Sequence, residues 1–297
     1  MPTGRSFAST CSARAALAGN PSDGYGGAVV AMPIDDLLAM ASTTEAATFV
    51  VDAADADMHR LLVTTAEAFA DHVGSLPSVR LSASTEIPRS VGLGGSSAIV
   101  IAALRALGAW EAYKWEAIEL ATLALSVERD RLGIEAGLQD RLVQVTGRPA
   151  SMTFGPVAVE PLDMPDWSFF VAWAPSAAET SDTVHRSIRR RYDAGDPAVH
   201  TSMIELTEQA IVAKLAIVNV ERERLGEAMN RTFDLRTTMI DVGPAQRRLV
   251  EIGQRIGAFV NSAGSGGSIV GLARNADHIA ELSHVYRSSG AQFHPIS

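Results

Sequence analysis

A glycine-rich turn ending in two serines is the part of the sequence whose residue types best suit phosphate binding. The turn reads Gly92-Leu93-Gly94-Gly95-Ser96-Ser97. It lies between an alternating, strand-like run at residues 78–86 and an apolar, helix-like run at residues 98–107. Glycine lets the backbone approach a ligand closely, and the free N–H groups of a first helical turn attract an anion. These features favour a phosphate site; a plain turn with a serine N-cap is the alternative.

Two better-known phosphate motifs do not fit this turn. No Gly-Lys-Ser or Gly-Lys-Thr run follows it, so it is not a P-loop. It also lacks the third glycine of the dinucleotide fingerprint at the expected spacing. An enzyme that binds a nicotinamide cofactor here is therefore disfavoured.

Two acidic residues further along the chain need an explanation. Glu128 falls near the end of a helical pattern at residues 115–131, where the helix dipole disfavours a negative charge. Its neighbours Arg129 and Arg131 provide one explanation, and a bound metal ion provides the other. Asp140 opens a short predicted helix, which it either caps or uses as a platform for chemistry.

Two more loops are rich in glycine. The first, at residues 19–27, separates predicted strands at 13–17 and 28–33, and the opposite charges of Arg14 and Asp23 flank it. The second, at residues 258–268, follows a predicted strand and contains Gly264 and Gly266.

These motifs, in this order, resemble those of the GHMP kinases, the family of galactokinase, homoserine kinase, mevalonate kinase and phosphomevalonate kinase. The family's phosphate-binding loop has the pattern P-x-x-x-G-L-G-S-S-A. That pattern begins here at Pro88, with Gly95 in place of the first serine and Ser97 in place of the alanine. The loop at residues 258–268 is similar to the family's third motif, G-A-G-x-G-G.

The first glycine loop resembles the family's G-E-H-x-D loop. Gly19 and Asp23 match it, whereas Asn20-Pro21 replaces Glu-His. The text at residues 19–23, 133–145, 181–191 and 229–236 looks closest to glucuronokinase-like sugar 1-kinases of the plant type.

The resemblance implies a phosphotransferase that uses ATP and Mg²⁺. Ser96 and Glu128 would bind the metal ion as hard oxygen ligands. Asp140 would orient the acceptor hydroxyl and take its proton. Arg14 would offset charge on the transferring group or keep Asp140 ionised. The residues that would lie at the ATP phosphates are Gly92, Leu93, Gly94, Gly95, Ser96, Ser97, Gly264 and Gly266.

The acceptor implied by the resemblance is a sugar acid such as glucuronate, phosphorylated at its anomeric hydroxyl. The alternatives are another small alcohol, of galactose, mevalonate or heptose type, and a non-catalytic sugar or nucleotide sensor on the same fold. A carboxylate favours a bidentate arginine, and the candidates are Arg89, Arg141, Arg186 and Arg236. The residues implied in acceptor binding are Asn20, Asp23, Gln139, Arg141, Arg186 and Arg236.

The family fold implied is α+β with two lobes. The N-terminal lobe, residues 1–164, would be ribosomal protein S5 domain 2-like and carry the ATP loop and Asp140. The C-terminal lobe, residues 165–297, would be a ferredoxin-like α/β lobe, with the active site between the two.

Composition limits the setting in which the protein works. The chain has 297 residues and a net charge of −9, which argues against a nucleic-acid partner. No apolar run reaches the ~18 residues needed to span a bilayer, and the N-terminus does not read as a signal peptide. Cys11 is the single cysteine, so no internal disulfide forms and a reducing cytoplasm is expected. A monomer and a homodimer are both compatible with the sequence.

Several further elements are predicted from periodicity alone. Residues 1–12 are expected to be an irregular start, and residues 151–159 a hairpin. Helical patterns cover residues 57–73, 181–192, 204–228, 246–256 and 276–287.

Overall fold

The computed structural model of the protein describes residues 4–174 and 188–296. It is a mixed α/β chain with two sheets, which confirms the predicted fold class. The strands are β1 (Ser6–Ala18), β2 (Ala28–Glu45), β3 (Val50–Asp52), β4 (Val79–Thr85), β5 (Ala150–Phe154), β6 (Val157–Pro161), β7 (Phe169–Trp173), β8 (Phe259–Ser262), β9 (Ser268–Leu272) and β10 (Gln292–Ile296).

The helices lie between groups of strands along the chain. Residues 188–193 are also helical. The longer helices are α1 (Ala56–Val73), α2 (Gly95–Trp110), α3 (Ala117–Ser126), α4 (Leu138–Thr146), α5 (Pro197–Val218), α6 (Arg222–Met239), α7 (Pro244–Arg255) and α8 (Ala276–Ser288). A π-helical turn, Val127–Arg131, continues α3.

The chain forms two compact units. Unit 1 consists of Met1–Ala13, Leu37–Ile87 and Gly94–Gly147. Unit 2 consists of Arg14–Asp36, Pro88–Leu93 and Arg148–Ser297. The predicted lobe boundary at residues 164–165 stays a prediction.

In unit 1 the helices cover the C-terminal half of β2 and its neighbours. β3 pairs in parallel with β4, and β4 pairs antiparallel with β2, so that Ala41 lies opposite Ala83. Asp55 caps α1 by accepting a hydrogen bond from the Met58 N–H. The long apolar side chains that are fully buried here include Leu62, Phe69, Leu81, Ile101, Leu104, Leu107 and Leu120.

In unit 2 the N-terminal half of β2 pairs antiparallel with β5, and β5 with β6, which confirms the predicted hairpin. The other sheet has the order β10-β7-β9-β8 and is antiparallel throughout. Numbered along the chain from β7, this order is 4-1-3-2, with helices after β7 and after β9. That is the predicted ferredoxin-like arrangement. Its core stacks Phe170 on Phe293 at 5.0 Å between ring centroids, with Tyr286 beside both.

The structure differs from two expectations about single elements, and a third falls partly outside the described residues. Residues 6–12 are strand rather than an irregular start, because β1 begins at Ser6. The predicted helix over 204–228 is two helices, because α5 ends at Val218 and Val220 adopts a positive φ of 59° before α6 begins. Of the predicted helix over 181–192, residues 181–187 lie outside the described residues.

Among the residues that the structure describes, no helix combines the length and apolar character that crossing a bilayer requires.

Candidate active site

The glycine turn of unit 1 opens α2 earlier than the sequence suggested. The helix begins at Gly95, and its N-cap is Gly94 in the left-handed conformation (φ 75°, ψ 32°). The Ser96 hydroxyl donates to Glu128, and the Ser97 hydroxyl donates to the Gly94 carbonyl at 3.0 Å. The alternative of a serine N-cap is therefore wrong, since a glycine holds that position and neither serine caps the helix.

The carbonyl of Gly94 fixes this turn. It accepts hydrogen bonds from the Ala98 N–H (3.0 Å), the Ser97 hydroxyl and the Gln144 amide (2.9 Å). Because the first intrahelical bond comes from Ala98, the three N–H groups before it have no partner within the helix. The turn therefore presents backbone N–H groups at the positive end of α2, where an anion is stabilised.

Glu128 lies beside this helix opening. It is fully buried in the π-helical turn. Its Oε1 accepts a hydrogen bond of 2.6 Å from Ser96 Oγ. Its Oε2 accepts from Arg141 Nε at 3.0 Å and also from Arg141 Nη2. The burial of this carboxylate is offset by a two-pronged arginine contact and a serine hydroxyl.

The predicted pairing of Glu128 with its neighbours in sequence is wrong. Arg129 pairs instead with Asp130, and Arg131 pairs with Asp71, each at 2.8 Å. Arg141, thirteen residues away, is the actual partner. The metal explanation for Glu128 stays a prediction.

Ser96 and Glu128 fit the ligands that Mg²⁺ prefers. Both offer hard oxygen atoms, and these lie 2.6 Å apart. Since Arg141 occupies Oε2, the Oε1 atom faces the serine at the helix opening. Mg²⁺ is commonly held by one or two protein oxygens together with phosphate oxygens and water. The donor set is therefore compatible with the ion that the family resemblance implies.

Asp140 does not cap α4, which corrects that alternative. The helix begins at Leu138, and its N-cap is Gly137, which makes no side-chain cap bond. Asp140 thus lies in the first helical turn. Its Oδ2 is 3.4 Å from Arg141 Nη1, and the same nitrogen donates to the Gly137 carbonyl at 2.9 Å.

Ser96, Glu128, Arg141 and Asp140 therefore form one continuous set of contacts, here termed the carboxylate cluster. Arg141 was predicted to bind the acceptor, and its guanidinium contacts Glu128, Asp140 and Gly137. Gln139 is buried, and its Oε1 accepts no hydrogen bond within the described part of the chain. Acceptor binding by Arg141 and Gln139 stays a prediction.

In unit 2, Arg14 donates hydrogen bonds both to the phosphate turn and to the glycine loop at residues 258–268. It is buried on β1, where its backbone N–H donates to the Leu93 carbonyl at 3.1 Å. Its Nη1 donates to the carbonyls of Gly92 (2.6 Å) and Ala263 (3.0 Å). The guanidinium thus lies against the start of the phosphate turn.

The glycine loop at residues 258–268 packs directly on the phosphate turn at Gly92. Gly92 has a positive φ of 75°, and a Cβ there would lie 2.5 Å from the Gly266 carbonyl oxygen. A Cβ on Gly264 would lie 2.2 Å from the Gly92 carbonyl oxygen and 2.6 Å from Arg14 Nη1. Glycine is therefore required at both positions by close packing. A role of Gly264 and Gly266 at the phosphates stays a prediction.

The first glycine loop is held by buried amides. Asn20 Nδ2 donates to the Ser262 carbonyl at 3.3 Å, and Asn20 Oδ1 accepts from Asn261 Nδ2 at 3.1 Å. Asp23 lies half-buried in the short 3₁₀ helix that follows. Sequence reasoning missed Asn261; the available signal was a polar amide at the end of an otherwise apolar strand.

Arg236 on α6 is buried beside the same loop. Its Nη1 donates to the Asn20 carbonyl at 3.4 Å, and its Nη2 donates to the Gly264 carbonyl at 3.1 Å. Its Nε has no hydrogen-bond partner among the described residues. Burial lowers the pKa of Arg236 to about 10; the charge of Asp23 opposes this shift and that of Arg14 adds to it.

The two remaining candidate arginines differ from Arg236. Arg89 is exposed. Arg186 lies outside the described residues, so its predicted role in acceptor binding stays a prediction.

The fold is shared with a solved structure of a kinase. Phosphomevalonate kinase of Streptococcus pneumoniae, in complex with phosphomevalonate and AMPPNP, is 14% identical to this chain and gives a TM-score of 0.83. The match covers 98% of this chain and 100% of that chain. At this identity the likeness concerns the fold alone.

Sequence comparisons define the family. Residues 60–148 match the family model described as GHMP kinases N terminal domain. The chain is 30% identical to 4-diphosphocytidyl-2-C-methyl-D-erythritol kinase of Thermobifida fusca (strain YX), over 79% of this chain and 70% of that protein. The chain therefore belongs to the GHMP kinase family, as its motifs predicted.

Within the family, the chain is similar to a plant protein. It is 34% identical over 234 residues to probable glucuronokinase 2 of Arabidopsis thaliana. The alignment covers 73% of this chain but only 63% of that protein's length.

Proposed function

We propose that this protein is an ATP- and Mg²⁺-dependent kinase of a small alcohol, and that the acceptor is the anomeric hydroxyl of a sugar acid such as glucuronate. The observation that carries the proposal is the carboxylate cluster. In this cluster Arg141 contacts both Glu128, the buried glutamate that accepts from Ser96 at the opening of α2, and Asp140. A cytoplasmic location is part of the same proposal.

The opening of α2 supplies the phosphate site. The N–H groups of Gly95, Ser96 and Ser97 would bind the terminal phosphates of ATP, because they precede the first intrahelical bond. Ser96 Oγ and Glu128 Oε1 would hold Mg²⁺, which supplies positive charge that offsets the phosphate oxygens. Arg141 orients Glu128 by occupying Oε2.

Asp140 would handle the acceptor proton. As the acceptor oxygen forms its bond to the γ-phosphorus, the bond from that phosphorus to ADP breaks, and the hydroxyl proton passes to the Asp140 carboxylate. Arg141 contacts Asp140 Oδ2 at 3.4 Å and so restrains its side chain. Arg14 would offset charge on the transferring group. Most of the catalysis would come from positioning and charge neutralisation.

The choice of acceptor rests on similarity to a probable glucuronokinase. The runner-up is an acceptor of another kind, which the similarity to the diphosphocytidyl methylerythritol kinase favours. Both readings require the same phosphate turn and carboxylate cluster, so only the acceptor distinguishes them.

Release of ADP in the presence of ATP, Mg²⁺ and a panel of acceptors tests the proposal. We expect turnover with glucuronate and little with galactose, mevalonate or water. Turnover of galactose or mevalonate without turnover of any uronic acid would refute the acceptor assignment. Absence of ADP release with every acceptor would favour a non-catalytic sensor.

The Asp140→Asn variant tests the role of the aspartate. We expect it to bind AMPPNP as the parent protein does while turnover falls by about 10²–10⁴-fold, the usual range for loss of a general base. Asp130→Asn is the matched control, because Asp130 is exposed and pairs with its neighbour Arg129 at the surface. Unchanged turnover in Asp140→Asn would remove this residue from the mechanism.

A further inference from the structure

Arg236 differs from the other candidate arginines in how its guanidinium is used. Arg141 already forms an ion pair with Glu128, and Arg89 is exposed. Arg236 is 3% exposed, and its two terminal nitrogens donate to backbone carbonyls. Its Nε–H finds no acceptor in the part of the chain that is described. A buried, charged side chain with an unused donor is therefore present beside the first glycine loop.

The hydrogen-bond acceptors of this buried positive charge are two neutral carbonyls, and the negative charge of Asp23 offsets only part of the cost of burial, since the pKa of Arg236 is still lowered. Buried charges are ordinarily paired with an opposite charge, because desolvation costs more than neutral hydrogen bonds return. The unused Nε–H adds the cost of an unsatisfied buried donor. An oxyanion that arrives with a ligand would remove both costs at once, since Nε and a terminal nitrogen can bind a carboxylate side by side.

A second buried atom without a partner belongs to the same network. Asn261 Nδ2 donates to the Leu17 carbonyl and to Asn20 Oδ1, both at 3.1 Å. The carbonyl contact fixes which end of the amide is nitrogen, so Oδ1 is the other end. That Oδ1 has no hydrogen-bond donor among the described residues. The network thus offers a donor suited to an anion and an acceptor suited to a hydroxyl.

The two buried arginines of unit 2 both donate to the glycine loop at residues 258–268 and differ in their other contact. Arg14 donates to Gly92 in the phosphate turn and to Ala263. Arg236 donates to Asn20, in the loop that resembles the family's G-E-H-x-D loop, and to Gly264. The contacts that differ are Gly92, at the start of the phosphate turn, for Arg14 and Asn20 for Arg236.

We infer that Arg236 binds the carboxylate of the acceptor and thereby makes the protein selective for hydroxylated acids over neutral sugars, with Asn261 Oδ1 accepting one of the acceptor's hydroxyls. The inference rests on the proposed function, because it concerns the acceptor of that kinase. An oxyanion at Arg236 has two possible sources, the acceptor carboxylate and an ATP phosphate, and the experiment separates them.

The test compares binding of D-glucuronate and D-glucose, which differ by a carboxylate in place of a hydroxymethyl group. Calorimetric titration is made with the full chain in the presence of AMPPNP and Mg²⁺. We expect Arg236→Gln to weaken glucuronate binding by at least about 30-fold, the lower end for loss of one partner of a buried charge pair. Glucose binding should change by less than about threefold. Arg231→Gln is the matched control, since Arg231 lies on the same helix and pairs with Glu205 at the surface.

Arg236→Lys keeps the buried charge and guards against a folding defect in Arg236→Gln. It loses the planar, two-pronged geometry, so we expect an intermediate, roughly tenfold loss of preference for glucuronate over glucose. An unchanged preference in both variants overturns the inference. So does an equal loss for both sugars, or a loss of AMPPNP affinity in Arg236→Gln, which would assign Arg236 to the fold or to the nucleotide.

The failure of the proposed function looks different. It would appear in the parent protein as absence of ADP release with every acceptor. A parent protein that phosphorylates glucuronate while Arg236→Gln keeps its preference for the acid refutes only the role of Arg236.

Discussion

Adding one methyl group to the phosphate turn should affect the stability of the protein differently at Gly92 and at Gly95. Gly92→Ala places a Cβ 2.5 Å from the Gly266 carbonyl oxygen and 3.1 Å from the Gly266 nitrogen. Both contacts are to backbone, which cannot rotate away. Gly95→Ala places its Cβ 3.4 Å from Ile87 Cγ2, an ordinary contact with the end of a side chain.

The backbone conformations enlarge this difference. Gly92 has a φ of 75°, and an alanine in the left-handed region costs about 1–2 kcal/mol. Overpacking against a fixed neighbour adds about 1–3 kcal/mol. Gly92→Ala should therefore lower the free energy of unfolding by about 2–5 kcal/mol. Gly95 occupies the first helical position, where replacing glycine by alanine is neutral or stabilises by up to about 1 kcal/mol.

Urea denaturation followed by circular dichroism measures both values, and the midpoint at constant slope gives the difference. Binding of AMPPNP, followed by the shift in thermal midpoint, should be weakened in Gly92→Ala and retained in Gly95→Ala. Equal stability of the two variants would refute the reasoning, because it would mean that Gly92 does not pack against Gly266 in solution.

Two further predictions concern buried charges elsewhere in the chain. Glu128→Gln leaves Arg141 buried without the Glu128 carboxylate and should lower the free energy of unfolding, measured by urea denaturation, by about 3–5 kcal/mol. The double variant Glu128→Gln/Arg141→Gln should recover at least half of that loss. Additive effects of the two substitutions would contradict the pairing. The buried His278 ring accepts the Arg274 N–H at Nδ1 and donates from Nε2 to the Ile256 carbonyl, and burial, then the charge of Arg274, lowers its pKa. The stability that neutral His278 contributes is therefore present above its ordinary pKa of about 6.5 and is lost as the pH falls below that value. His278→Gln should accordingly lose less free energy of unfolding between pH 7.5 and pH 5.0 than the parent protein does. An equal loss in both proteins would show that His278 is not the titrating group.

Local patterns in the sequence were sufficient for most elements. The amphipathic spacing at residues 57–73 and the apolar run at 98–107 correspond to α1 and α2 within a few residues. The break between α5 and α6 could not be predicted in this way. No glycine or proline marks it, and the residue with positive φ is Val220, a β-branched type that rarely adopts that conformation. Tertiary packing of the two helices against each other overrides the local preference.

The ion-pair partner of Glu128 could not be predicted from the sequence either. Arg129 and Arg131 were the nearest cations in sequence, and residues three positions apart can meet on a helix surface, so spacing alone favoured Arg131. The structure turns both toward other carboxylates and brings Arg141 from α4 to Glu128. The packing of α3 against α4 brings that arginine to Glu128, and no spacing rule encodes it.

The departures of this chain from the family's loop pattern flank the contact that the proposed chemistry needs. Ser96 holds the second serine position of that pattern, and it is the residue that reaches Glu128. Gly95 replaces the first serine at a position where even a Cβ meets nothing closer than 3.4 Å, so no packing is lost there. Ser97 replaces the alanine, and its hydroxyl adds a hydrogen bond to the Gly94 carbonyl that holds the turn. The hydrogen bond of Ser97 restrains the turn where Gly95, in place of the family's first serine, makes the backbone more flexible. The position of Ser96 beside Glu128 is therefore maintained although both flanking residues differ from the pattern.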